Sequence, residues 1–267
     1  MGGKGIPNYQ RVADDLRARI LNGELGPGDK LPTEKELQQQ WGYSTTIIKY
    51  ALALLRSEGL IEGRRGSGNY VRTRPRLTRR AHSRDMRKAM GSTSPFARDS
   101  QTAGKKPSWE SHSEKIPATP HIAERLGINP GDMVMYTRYR FFADETPIQL
   151  SHSYEPLAIT GGTPVEYPER GPIVGVVARM DFIGVTIDRF VEEIITRPAM
   201  PDEVDALGLD RRGGMWIIAI KRTYYAGETA VETADIVAAG DRYRLVYEVP
   251  IDPWSPSNEG ERADRAG

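Results

Sequence analysis

Two groups of residues have the types and spacing to do chemistry. The first is the run Thr45-Thr46-Ile47-Ile48-Lys49, and the second is Arg138-Tyr139-Arg140 with Ser151, Ser153 and Tyr154 a short way downstream. Small hydroxyls and one cation at the start of a helix suit hydrogen bonding to base edges in a duplex major groove. Two guanidiniums at alternate strand positions share one face, where they need carboxylates or an anion. Hydroxyls on the next strand would be donors nearby. Both are binding chemistries. There is no G-x-S-x-G, P-loop or dinucleotide glycine fingerprint, and His82, His112, His121 and His152 lack metal-ligand spacing. The 267 residues include no Cys, which excludes a thiol nucleophile, a disulfide and a Cys-based zinc site. No catalytic residue, metal or cofactor is therefore expected.

The elements that position the first group are legible. Tyr9, Val12, Ala13, Leu16 and Ile20 fall on one face of a helix over 9–21. Gly26, Pro27, Gly28 and Pro32 forbid its continuation. Thr33 and Glu36 have capping-box spacing and open a second helix, which Gly42 breaks. Ser44 is the expected N-cap of a third helix to about Ser57. Ile48, Ala51, Leu52 and Leu55 point inward there, leaving Thr45, Thr46, Lys49, Tyr50 and Ala53 outward. Short strands then flank the turn Gly63-Arg64-Arg65-Gly66-Ser67-Gly68. Two helices joined by a tight turn and followed by a basic hairpin predict a winged helix-turn-helix. Charge agrees: residues 1–80 hold 15 Lys and Arg against 8 Asp and Glu, whereas the whole chain has a net charge of +1. A basic head on an acidic body suits a polyanion partner; a merely solvated basic face is the alternative.

The stretch from Gly26 to Val71 resembles the winged helix-turn-helix of the GntR family of bacterial transcription regulators. The likeness rests on Leu31-Pro32-Thr33-Glu34, Leu37, Ser44, Ala51-Leu52, Leu55, Glu58-Gly59-Leu60 and Gly66-Ser67-Gly68. It implies DNA contacts at Thr33, Glu34 and Lys35 on the second helix, Ser44, Thr45, Thr46 and Lys49 on the recognition helix, and Arg64, Arg65 and Gly66 on the wing. The family carries Arg where Thr45 and Lys49 stand, and Lys lacks the bidentate fork, so base readout is expected to be less Arg-dominated. Thr33 and Ser44 could instead serve only as caps, Glu34 could serve the helix dipole, and Gly66 the turn.

Residues 77–92 read as a basic linker, with a short helix near Asp85–Ala89. A second domain follows, over 93–250. Trp109–Pro117 and two hairpins, turning near Asp144-Glu145 and Ala226-Gly227, read as strands; 187–209 reads as helix with a proline break; 251–267 reads as a disordered tail. The segments around both hairpins look alike, an internal pseudo-repeat. This half is similar to the UTRA effector domain of the histidine-utilisation-repressor branch, itself similar to chorismate lyase. That likeness implies an effector pocket, with Arg138, Arg140, Ser151, Ser153, Tyr154, Arg222, Glu232 and Tyr243 as candidates. Ser151 stands where the family often has an acid. Pairing of the arginines with Glu192, Glu193 or Glu232 is the alternative to a ligand.

The expected fold class is α+β: an N-terminal winged helix-turn-helix over 1–76 plus a C-terminal antiparallel-sheet domain. The resemblance implies a homodimeric repressor that binds double-stranded operator DNA and is released by a small polar or anionic effector. The alternative is a ligand-independent repressor whose second domain only dimerises. A fainter similarity is to repressors of conjugative plasmid transfer. Without an apolar run near ~18 residues or a secretory signal, a cytoplasmic protein with no membrane partner is expected.

Overall fold

Val12, Ala13 and Leu16 recur at helical spacing and bury one face of α1 (Asn8–Leu21). The computed structural model describes residues 6–64, 66–73, 77–80, 94–171, 173–209 and 216–249. Helix α2 (Glu34–Trp41) starts at the expected capping box: Thr33 N donates to Glu36 Oε2 at 2.7 Å, and Glu36 N donates to Thr33 Oγ1 at 3.2 Å. Gly42 ends it at φ 67°, a left-handed conformation that turns the chain toward α3 (Thr45–Ser57). Ile48, Ala51, Leu52 and Leu55 of α3 close one core with Leu37 and Val12. Strands β1 (Ile61–Arg64) and β2 (Gly68–Val71) form the wing. Leu31 N donates to Asn69 O and Val71 N to Asp29 O, both at 2.8 Å, tying the wing to the turn before α2.

The C-terminal half is built on one antiparallel sheet. Its strands are β4 (Pro107–Pro117), β5 (Met133–Ala143), β6 (Thr146–Pro156), β7 (Arg189–Pro198), β8 (Trp216–Ala226) and β9 (Thr229–Ala239). Their spatial order is β4-β5-β6-β9-β8-β7, two three-stranded halves back to back. One constant offset carries β5 onto β8 and β6 onto β9. It also carries the extra residue Ile148, at the register shift of the first hairpin, onto Val231 in the second. The pseudo-repeat is therefore structural. On the inner face lie α4 (Pro95–Thr102) and α7 (Val176–Phe182), with the parallel pair β3 (Leu77–Arg80) and β10 (Tyr243–Val246). The outer face carries α5 (Pro120–Leu126) and the segment after α8 (Pro201–Ala206). The short α6 (Leu157–Thr160) caps the end of β6.

Two expectations are corrected. Residues 187–209 are not one helix: β7 occupies Arg189–Pro198, and only Pro201–Ala206 is helical. Phe190, Glu192 and Ile194 are the half-buried members of an alternating pattern, and Val191, Ile194, Ile195 and Thr196 are β-branched. β7 is the counterpart of β4 at the opposite sheet edge. Residues 77–80, assigned to the linker, form β3, paired with β10 from Tyr243↔Leu77 to Val246↔Arg80. Leu77 and Arg79 are buried, so this segment belongs to the packed sheet domain. The helix expected near Asp85–Ala89 and the tail over 251–267 lie outside the described residues.

The β5–β6 turn places Asp144 at φ 49° and Glu145 at φ 64°. Both are left-handed, as a two-residue hairpin turn of matching twist requires. Asp144 has compensation, accepting from Lys106 N at 2.9 Å and from Lys105 Nζ at 2.9 Å. Glu145→Gly relieves a Cβ clash worth roughly 1–2 kcal/mol, offset by added unfolded-state freedom. We predict a net gain of about 1 kcal/mol in urea melts.

Candidate nucleic-acid interface and inner cavity

Helix α3 presents Thr45, Thr46, Lys49, Tyr50 and Ala53 to solvent, the face opposite Ile48, Leu52 and Leu55. Ser44 is exposed at its N-terminus with no cap bond, so its hydroxyl points to no helix amide. The four leading amides of α3 add partial positive charge there. Thr33 differs: its hydroxyl accepts from Glu36 N and donates to Glu36 Oε2 at 2.8 Å, which is the capping role. The Thr33 backbone N–H, and after it the Thr33 hydroxyl, donate to the Glu36 carboxyl and hold it below its usual range. Glu34 and Lys35 follow in the first turn of α2, Glu34 half-buried and Lys35 exposed. On the wing, the Arg64 guanidinium lies 4.2 Å from the Tyr70 ring centre and 3.0 Å from Glu62 Oε1. Gly66 sits at φ 72° on the exposed tip, with nothing within 4 Å of where a Cβ would stand. Arg65 lies outside the described residues. Tyr50, 63% exposed beside Lys49 and 6.2 Å from the Tyr9 ring, belongs to the same surface and was outward in the sequence pattern.

The sheet domain divides the other candidates between two faces. A two-residue turn without interruption would set Arg138 opposite Ser151. The extra residue Ile148 shifts the register by one, so Tyr139 faces Ser151, Phe141 faces Gln149, and Arg138 faces His152. A shift of one residue moves a side chain to the other face. Ser151, Ser153, Arg222 and Glu232 thus line an inner cavity of about 120 Å³ with Tyr139, Phe141, Trp109 and Tyr224. Arg138 and Arg140 line a separate hollow of about 440 Å³ on the outer face, with Glu110, His112, His152 and Asp202. The single cluster expected from the sequence does not form. Neither arginine pairs with Glu192, Glu193 or Glu232 among the described residues; Arg140 lies 3.7 Å from Glu110 and 4.8 Å from the Phe142 ring. Tyr154 also leaves the cluster, stacking on Tyr136 at 5.1 Å under α5. Tyr243 is buried at the cavity margin, its hydroxyl donating to Gln149 Oε1 at 3.1 Å.

The cavity is braced by ion pairs that span distant segments. Arg179 on α7 donates to both carboxylate oxygens of Glu155, at 2.6 and 2.9 Å, and to Val165 O. Both side chains are 1% exposed. Trp109 Nε1 donates to Glu169 Oε2 at 2.9 Å. Glu232 is 1% exposed; its Oε1 accepts from Ser153 Oγ at 2.8 Å, and its Oε2 has no hydrogen-bond partner among the described residues. Burial pushes this carboxyl up to about 7, against the pull of Arg222 and the Ser153 hydroxyl. Burial likewise raises the Tyr139 phenol well above its ordinary value. Tyr139, Phe141, Trp109, Glu155 and Arg179 escaped the sequence reading. Parity with Ser151 would have found the first two, had the bulge been visible.

No group of three or more His, Cys, Asp or Glu among the described residues could hold a metal, and no described helix is long and apolar enough to cross a membrane.

Comparison with known proteins gives matches over both halves. Residues 8–71 match the family "Bacterial regulatory proteins, gntR family", and residues 102–244 match the UTRA domain. The HTH-type transcriptional repressor NagR of Bacillus subtilis is 30% identical, over 91% of this chain and 94% of its own. The mannosyl-D-glycerate transport/metabolism system repressor MngR of Escherichia coli is 31% identical, over 74% and 76%. A crystal structure of a GntR-family transcriptional regulator superposes with a TM-score of 0.68 at 42% identity, over 92% of this chain and 98% of the other. That of PhnF from Mycobacterium smegmatis, 23% identical over 90% and 100% with a TM-score of 0.57, shares the fold.

The raised Glu232 carboxyl has a consequence for stability. In the unfolded chain the group ionises near 4.5; in the folded chain it holds its proton to about 7. Its contribution is fully present below 4.5 and is lost as pH rises through 7. Glu232→Gln removes that loss. The variant is expected to match the parent at pH 4.5 and exceed it at pH 8 by on the order of 3 kcal/mol in denaturant melts, from ~1.4 kcal/mol per pH unit.

Proposed function

Because the chain belongs to the GntR family of bacterial regulatory proteins, in its UTRA-containing branch, and is a DNA-binding transcription regulator, we propose that it is a cytoplasmic repressor released from its operator by a small molecule held in the inner cavity. The observation that carries this reading is the pairing of two surfaces in one chain: an uncommitted hydroxyl-and-lysine face on α3, and a walled cavity in the sheet domain.

In this reading α3 enters the major groove by its N-terminus. Thr45, Thr46 and Lys49 meet base edges, while Ser44, Lys35, Arg64, Arg65 and the close-approaching Gly66 meet the backbone. Thr33 and Glu34 act at one remove by fixing the start of α2. The protein works as a homodimer whose two heads span half-sites about one helical turn apart.

Release works by differential binding: the effector favours a geometry in which the heads no longer match those half-sites. β3, which follows the wing, offers the route. Arg79 on β3 is 1% exposed and pairs with both oxygens of Glu192 on β7. Glu192 stands opposite Arg222, a cavity residue. Arg72 also reaches Asp241 at 2.9 Å, linking the segment after the wing to the turn before β10.

Footprinting on the promoter of the protein's own gene supplies the operator. Lys49→Ala is expected to cost about 1–3 kcal/mol of specific affinity while leaving nonspecific binding nearly unchanged. Unaltered operator affinity would overturn the assignment of α3. Sedimentation of the complex is expected to give two chains per operator; one chain would overturn the dimer.

A further inference from the structure

The walls of the inner cavity are specific about what they would hold. At both positions where β5 faces the cavity, the residue is aromatic, and the arginines beside them face away. Phe141 is the hub: its ring centre lies 4.8 Å from Phe96, 5.3 Å from Tyr139 and 6.4 Å from Trp109. The guanidiniums that do line the cavity are committed. Arg179 is held bidentate by Glu155, and Arg98 and Arg222 have interactions of their own. Glu155, Glu169 and Glu232 add carboxyls to the same walls. Nε of Arg179 and of Arg222 have no hydrogen-bond partner among the described residues, but an anionic ligand entering here would have to compete with those carboxyls for the same guanidiniums.

The buried acceptor is the opposite case. Glu232 lines the cavity, its Oε2 is buried with no hydrogen-bond partner among the described residues, and a buried oxygen in that state gains from a donor. The Ser151 hydroxyl lies on the same wall, 7% exposed. The volume of about 120 Å³ is similar to the ~150 Å³ of an apolar cavity that takes benzene. Ring faces stack on aromatic walls in offset or tilted arrangements, worth roughly 0.5–1.5 kcal/mol per pair beyond burial.

We propose that the inner cavity takes a neutral or cationic aromatic ring bearing a hydroxyl or amino donor, stacked against Tyr139 and Phe141 and hydrogen-bonded to Glu232, and that it excludes phosphate esters. The ligand class rests on the reading of this cavity as the effector site and narrows it, replacing the polar or anionic ligand expected from the sequence.

The test is calorimetric titration of the full chain with phenol, benzylamine, phenyl phosphate and glucose 6-phosphate. At least one of the first two is expected to bind about tenfold or more tighter than either phosphate. Phe141→Ala and Glu232→Leu should each weaken that binding by about tenfold, and Arg138→Ala on the outer face should leave it unchanged. Thermal melts check that each variant is folded; should Glu232→Leu unfold, Glu232→Gln, predicted above to be stable, replaces it and should lower benzylamine affinity by removing the anionic form. Equal or tighter binding of a phosphate, no binding by either donor ring, or ring binding indifferent to Phe141→Ala overturns the proposal. Operator release, measured with each probe that binds, separates the two readings. A phosphate that binds and releases DNA overturns the ring class and leaves the effector site standing. A ring that binds through Phe141 without releasing DNA upholds the class and counts against the effector role.

Discussion

One extra residue in each of two hairpins decides which side chains line the inner cavity of the sheet domain. Ile148 in β6 and Val231 in β9 each shift the strand register by a single position. Side chains alternate along a strand, so that shift exchanges the inward and outward sets of β5 relative to β6, and of β8 relative to β9. Tyr139 and Phe141 come to face Ser151 and Gln149, while Tyr224 and Arg222 come to face Glu232 and Ala234. The cavity chemistry follows: aromatic walls, a buried carboxyl, and two arginines sent to the opposite face. Bulges also bend and twist their strands, which suits a sheet that must wrap a cavity on one side.

A cavity in a sheet face needs a lid, and here charge holds the lid in place. Glu155–Arg179 fastens α7 to β6, and Arg79–Glu192 fastens β3 to β7. Pairs this deeply buried gain little net stability over apolar contacts of the same shape, because desolvation consumes most of the attraction. What they add is geometric definition, since removing either partner strands a buried charge. Burial and Arg79 act oppositely on Glu192, and the pairing prevails, keeping its carboxyl below the usual range. β3 follows the wing in sequence, and Arg72, just after the wing, pairs with Asp241 before β10.

Much of this was legible because much of it is local. The helix boundaries of the head come from Thr33, Glu36 and Gly42, each acting within a few residues. The outward set Thr45, Thr46 and Lys49 follows from helical periodicity alone. The hairpins and their repeat were equally visible. β7 was not, because the inward residue between Phe190 and Ile194 is Glu192, which spoils apolar alternation. That carboxylate is buried only because Arg79, far away in sequence, meets it. β3 was hidden for the same reason: a basic segment reads as solvated until its partner is known. The candidate pocket failed at Ile148, where one residue inverts parity and no local composition announces it.

The strand register is directly measurable because the chain has no cysteine. Arg138→Cys and Tyr139→Cys, made singly in the full-length protein, can be timed against a bulky, charged thiol reagent under native conditions. Rapid labelling is expected at position 138, on the outer face, and strong protection at position 139, against the inner cavity. Protection at 138 with rapid labelling at 139 would contradict this register, restoring the arginines to the cavity.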